Sequence, residues 1–231
     1  MMINRISTIL SLAVLLSFLP FHSSAQEYDK SEYCPLTKGM YLKYANYDED
    51  SKIKSYYAFE ITFLEGTLEK GHIIFDQEVY DRNGEPLFKD NIITMDATTA
   101  DGITTSRMSG LNRIMKTQDD FSKGDISSIP SELKVGMEIP DGNIKIYIDK
   151  FSASIQTRDR KVIDQKTITT KAGTFECYLL KETQITKTVG SKTELVETWY
   201  TKGIGTVKQT VYDKKGRLKQ SQELISLSIR N

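Results

Sequence analysis

The chain has 231 residues, 31 of them basic and 31 acidic, with two histidines, two cysteines and one tryptophan. Balanced charge gives no field for a polyanion, so nucleic acid is not an expected partner, and so few Cys and His cannot close a zinc site. A chain of this size buries about 70% of its unfolded surface, enough for a core without metal.

The first segment reads as a signal peptide over 1–25. Arg5 supplies the positive start, Ile9 to Leu19 the apolar run, Pro20 the break and Ser23-Ser24-Ala25 the small residues before cleavage. That run is too short to span a bilayer, which takes about 20 residues. No cysteine follows the cut, so a lipid-modified N-terminus is not expected. Cleavage leaves 26–231, read as one β-rich domain with no transmembrane segment. Its formal net charge is −1 (30 basic, because Arg5 is lost, against 31 acidic), and His72 is its single histidine. Export to an oxidising compartment with two cysteines, Cys34 and Cys177, predicts one disulfide, the alternative being two buried thiols.

Along the rest of the chain the period is mostly two. Tyr57, Phe59, Ile61 and Phe63 alternate with Glu60 and Thr62. Ile144, Ile146 and Ile148, then Phe151, Ala153 and Ile155, and finally Ile225, Leu227 and Ile229 repeat the pattern. This is antiparallel sheet with one buried face. Asp81-Arg82-Asn83-Gly84 and Asp213-Lys214-Lys215-Gly216 each follow Val-Tyr, and both read as hairpins in which Asp caps the turn and Gly takes positive φ. Tyr47 to Ser51 is a looser copy, and Val189-Gly190-Ser191 is a further turn. Met108, Leu111 and Met115 break the rhythm at helical spacing. They predict a short helical insertion over 108–124, ending near Lys123-Gly124, followed by an irregular extended stretch from Ile129 to Pro140.

The residues that carry chemistry are sparse. His72 is a candidate base, but no G-x-S-x-G accompanies it, and an edge histidine is the better reading. Glu194 and Glu197 near Trp199 are the one place where acids meet a large aromatic, and spacing alone does not make them a catalytic pair. Gly203-Ile204-Gly205 opens no helix and reads as a turn. Seven of the 12 tyrosines (Tyr28, Tyr33, Tyr41, Tyr44, Tyr47, Tyr56 and Tyr57) crowd the start; without a basic companion surface they read as cross-strand pairs.

Leu133-Lys134-Val135-Gly136 leads to Pro140-Asp141. Ala172-Gly173-Thr174-Phe175-Glu176-Cys177-Tyr178, Trp199-Tyr200 with Gly203-Ile204-Gly205 and Val207-Lys208, and Tyr212-Asp213 with Gly216 and Leu218 then follow in order. With the opening Cys34-Pro35, Gly39 and Tyr44, this set resembles the TapB-like family of small exported bacterial proteins of unknown function. The resemblance implies a periplasmic or surface-associated β-rich protein, supports a Cys34–Cys177 bridge, and supplies no substrate and no catalytic residues. In outline the pattern is also similar to the open half-barrels of lipoprotein carriers, a likeness of fold that does not give function.

The reading that results is an all-β exported protein. It has a strongly curved antiparallel sheet, a half-barrel or barrel, with a short helical insertion. It is non-catalytic and needs no cofactor and no metal. Its concave face, lined by Trp199, Phe151, Ile146, Met137 and Met115, is expected to hold an apolar ligand such as a lipid or acyl chain. The alternative is a structural or interaction module that binds another envelope protein. A hydrolase of envelope glycans is a distant third.

Overall fold

A computed structural model describes Tyr33 and residues 37–67, 70–87, 92–98, 107–108, 122–125, 129–130, 132–148 and 151–230. Within them the chain forms strands β1 (Met40–Tyr47), β2 (Ile53–Thr67), β3 (Lys70–Asp81), β4 (Ile92–Thr98), β5 (Arg107–Met108), β6 (Ser122–Asp125), β7 (Glu138–Ile139), β8 (Gly142–Ile148), β9 (Phe151–Thr170), β10 (Gly173–Lys187), β11 (Ser191–Thr201), β12 (Gly205–Asp213) and β13 (Leu218–Ile229). All belong to one antiparallel sheet in the order β5-β4-β3-β2-β1-β13-β12-β11-β10-β9-β8-β6, with β7 paired to β9. Two meanders, one running back from β1 and one from β13, are thus joined where the first strand pairs with the last.

The all-β expectation holds and the expected strong curl does not, while no helical insertion is shown. The sheet is neither closed nor strongly curled: its end strands, β5 and β6, are short and do not pair with each other. No helix is present among the described residues. The helical insertion over 108–124 lies mostly outside them, and where its ends are described they are strand. Arg107 and Met108 pair with Asp96 and Met95, and Lys123 and Gly124 pair with Lys145 and Ile144. At these two ends, pairing with a neighbouring strand holds the backbone extended. The described residues from Ile129 to Pro140 are irregular as expected apart from the two-residue strand β7, and Ile129, Leu133 and Ile139 are buried.

Cross-strand partners define two faces. The inner face carries Leu42 and Tyr44 (β1), Tyr57, Phe59 and Ile61 (β2), Val79 (β3), Leu224 (β13), Val196 (β11), Leu180 (β10) and Val162 (β9), all buried. Tyr44 stacks on Tyr57 with ring centroids 4.8 Å apart. At one side Ile129, Leu133, Ile139 and Tyr33 pack on Val162 and Leu180. On the outer face Cys177, Leu179, Trp199 and Val207 form a separate cluster. The alternation of Ile225, Leu227 and Ile229 does not run unbroken. The register slips between Lys43 and Tyr44, so that Tyr44 faces Leu224 and Ile225 is passed over. The bulge hands the buried position to Leu224, which is fully buried, while Ile229 is 55% exposed.

Three hairpin turns are copies of one another. Asp48, Asp81 and Asp213 each accept two backbone N–H groups on Oδ1: from Asp50 and Lys52, from Asn83 and Glu85, and from Lys215 and Arg217, at 2.8–3.0 Å. The fourth residue takes positive φ in each, Ser51 at 60°, Gly84 at 86° and Gly216 at 77°. Ser51 therefore does a glycine's job. Ser51→Gly is expected to stabilise the protein by about 0.5–1 kcal/mol, read as a higher urea midpoint at unchanged slope. Backbone N–H groups hold the carboxyl of Asp81 below its ordinary range. Asp213, hydrogen-bonded by Arg217 backbone and side chain, falls to about 2 from 3.8. A depressed folded-state pKa adds stability that is complete above the unfolded value and is lost as pH falls through the folded one. Urea stability should thus drop between about pH 4 and pH 2, and Asp213→Asn should flatten that decline.

Candidate binding face

The structure does not bring the expected cavity lining together. Trp199 stands in the outer-face cluster, whereas Met137 packs with Tyr178 and Tyr200 on the inner-face cluster. Ile146 and Phe151 lie on the paired strands β8 and β9, where Ile146 faces Ala153 and Phe151 faces Ile148. Met115 lies outside the described residues. The inner face is also crossed by a row of polar side chains. Ser55, Asn46, Gln222, Gln209 and Thr198 face one another in turn across β2, β1, β13, β12 and β11. An acyl chain laid along that row would leave the amides and hydroxyls without water, a poor exchange.

The Cys34–Cys177 bridge is not supported either. Cys177 carries a free, buried thiol, and Cys34 lies outside the described residues. The Cys177 Sγ points among Leu179, Trp199 and Val207, while Tyr33 is buried in the cluster on the other face. Burial, then Glu176, pushes the thiol up to about 12, so it offers no thiolate near neutral pH. His72 lies near the start of β3 opposite Glu65 and Thr98. Glu194 faces Gln184 on the inner side and Glu197 faces Lys181 on the outer side, so these two carboxylates do not converge. Among the described residues no cluster of His, Cys, Asp and Glu could hold a metal ion, and no helix is long and apolar enough to cross a membrane. Gly203 and Gly205 both take positive φ in the β11–β12 turn, as the turn reading expects.

A different constellation occupies the outer face of β3, β2, β1 and β13. Tyr56 faces Tyr80, Ala58 faces both Lys43 and Glu78, and Tyr41 faces Glu60. Ala58 and Ala45 are buried, and their small size leaves room for the longer side chains around them. The Lys43 ammonium stands over two rings at once, 5.3 Å from the centroid of Tyr56 and 5.1 Å from that of Tyr80. The Arg230 guanidinium lies 3.4 Å from the ring centroid of Tyr41 and donates from Nη1 to Glu60 Oε2 at 2.9 Å. Cations at these distances from aromatic faces are attracted by the ring quadrupole. Tyr80 donates its hydroxyl to Glu78 Oε2 at 2.7 Å, and Tyr41 donates to the same oxygen at 3.4 Å. Burial and then the Glu78 hydrogen bond push the Tyr80 phenol up to about 12, and burial followed by the Glu78 charge raises Tyr41. Both phenols stay protonated and keep donating at any physiological pH.

By sequence alone the early tyrosines have no basic companion surface. The fold supplies one. Lys43 sits between rings on neighbouring strands, and Arg230 reaches Glu60 from 170 positions away. Alternation along β1 and β2 could have put Tyr41, Lys43 and Tyr56 on one face. Nothing in the sequence could have brought in Arg230, because that needs the pairing of first and last strands.

Two solved structures share this fold. One is a Bacteroides fragilis NCTC 9343 protein classed as exported with a YmcC-like fold, 20% identical, with a TM-score of 0.65, covering 84% of this chain and 98% of its own. The other is a Parabacteroides distasonis ATCC 8503 protein classed as a lipoprotein, 19% identical, with a TM-score of 0.65, covering 87% of this chain and 100% of its own. No curated protein matches the sequence. The TapB-like name is not confirmed: a family model matches residues 37–224, which leaves Cys34-Pro35 outside, and the chain belongs to the DUF3108-like family.

Proposed function

We propose that this is an exported protein of the cell envelope that works by binding rather than by catalysis, and that it engages another envelope protein through the tyrosine–cation face of β3, β2, β1 and β13. The observation that carries the reading is Lys43 held over Tyr56 and Tyr80 beside Tyr41 under Arg230. Tyrosine and arginine are enriched where proteins meet, because rigid rings give contact area at low entropic cost. Export is supported by the leader-like start and by the exported and lipoprotein classes of the two structural neighbours.

A photo-crosslinking residue placed at Tyr80 should capture one discrete partner in cells. The same residue at Val189, a 97% exposed turn position, should not. Equal capture from both sites, or none from Tyr80, would remove the proposal. The acyl-chain reading has less support, because Trp199 and Met137 lie in separate clusters and a polar row crosses the inner face. Native mass spectrometry without detergent separates the two readings: a bare chain is expected, and a retained lipid mass would revive the carrier reading.

A further inference from the structure

The polar row on the inner face has an unusual centre. Gln209 and Gln222 face each other directly across β12 and β13, and they are only 5% and 3% exposed. Their amide nitrogens are used in opposite directions. Gln209 Nε2 donates to Thr198 Oγ1 on β11 at 2.9 Å, whereas Gln222 Nε2 reaches across β1 to the Tyr57 hydroxyl on β2. Each keeps a buried Oε1 with no hydrogen-bond partner. Two carbonyl oxygens cannot bond to each other, since both only accept. The two amide nitrogens are drawn to opposite neighbours, β11 and β2, and neither oxygen has a donor of its own. Burying an acceptor unmade costs about 1–3 kcal/mol, so two of them in one place call for a donor.

We infer that this pair holds a buried, two-donor ligand, and that the ligand is a single ordered water bonded by both O–H groups to Gln209 Oε1 and Gln222 Oε1. Water is the smallest molecule with two donors and no charge, and buried waters bridge polar groups of this kind. The site lies beside the junction of β1 with β13. Gln222 itself faces Asn46 there, and Tyr44 donates its hydroxyl to the Thr206 carbonyl at 2.8 Å across the same junction. The water would therefore belong to the polar linkage between the two meanders.

The test is solution NMR on the intact protein with 15N-labelled glutamine side chains, combined with native mass spectrometry. Rotating-frame exchange peaks from a long-lived water to the side-chain amides of both Gln209 and Gln222 are expected, and both should vanish in Gln222→Leu while the Gln184 amide signals stay in place. Absence of those peaks in the folded protein would overturn the inference. So would a direct hydrogen bond between the two amides, seen as one head turned toward the other. A larger molecule that leaves only on denaturation and shifts these amide signals would also overturn it, replacing water by a bound ligand.

Discussion

Replacing Gly39 by alanine is expected to cost about 3 kcal/mol or more. Gly39 has φ of 78°, which already penalises an L residue by about 1–2 kcal/mol. The larger effect is steric. A Cβ at this position would lie 2.1 Å from the backbone oxygen of Arg230. That oxygen cannot swing aside like a side-chain tip, because Arg230 N donates to Gly39 O at 2.7 Å and Gly39 N donates to Ile61 O at 2.7 Å. One residue thus ties the start of β1 to the end of β13 and to β2, where the two meanders meet. Gly84 is the natural control. It has φ of 86° but nothing within 4 Å of its Cβ position, so Gly84→Ala should lose only the conformational part. Urea unfolding of both variants reads the difference, and equal losses would show that the close approach to Arg230 does not matter.

Removing the Arg160 charge should be of similar size. Arg160 is 5% exposed, donates from Nε to Glu182 Oε2 at 2.9 Å and from Nη1 to the Pro140 carbonyl at 2.9 Å. Arg160→Met leaves the largely buried Glu182 carboxylate without its ion partner near the buried phenol of Tyr200, and breaking such a pair costs about 3–5 kcal/mol. Arg160→Met with Glu182→Leu should recover most of the loss, because it removes the stranded charge as well. Urea unfolding of both variants at neutral pH reads the difference, and a double variant no more stable than Arg160→Met would show that Glu182 is compensated elsewhere. The double variant doubles as a check on the binding face, which lies across the sheet and should keep capturing the same partner.

The sequence by itself determined the local structure. Alternation gave the strands, and the Asp and Gly placements gave turns that recur at Asp48, Asp81 and Asp213, because a side-chain oxygen and a positive-φ residue act within a few positions. The irregular stretch from Ile129 to Pro140 was legible for the same reason. The tertiary structure alone decided whatever needs partners distant in the chain. It made Met108 a strand residue by pairing it with β4, and it moved the buried position on β13 from the Ile225 register to Leu224 by a bulge. It kept the ends of the sheet apart, and it parted Trp199 from Met137 because Met137 packs on the side of Tyr200, whose neighbour Trp199 faces the opposite way. The binding face shows the division most plainly. Tyr41, Lys43 and Tyr56 share a face by alternation alone, but Arg230 joins them only because the first strand pairs with the last, a long-range pairing that no local pattern encodes.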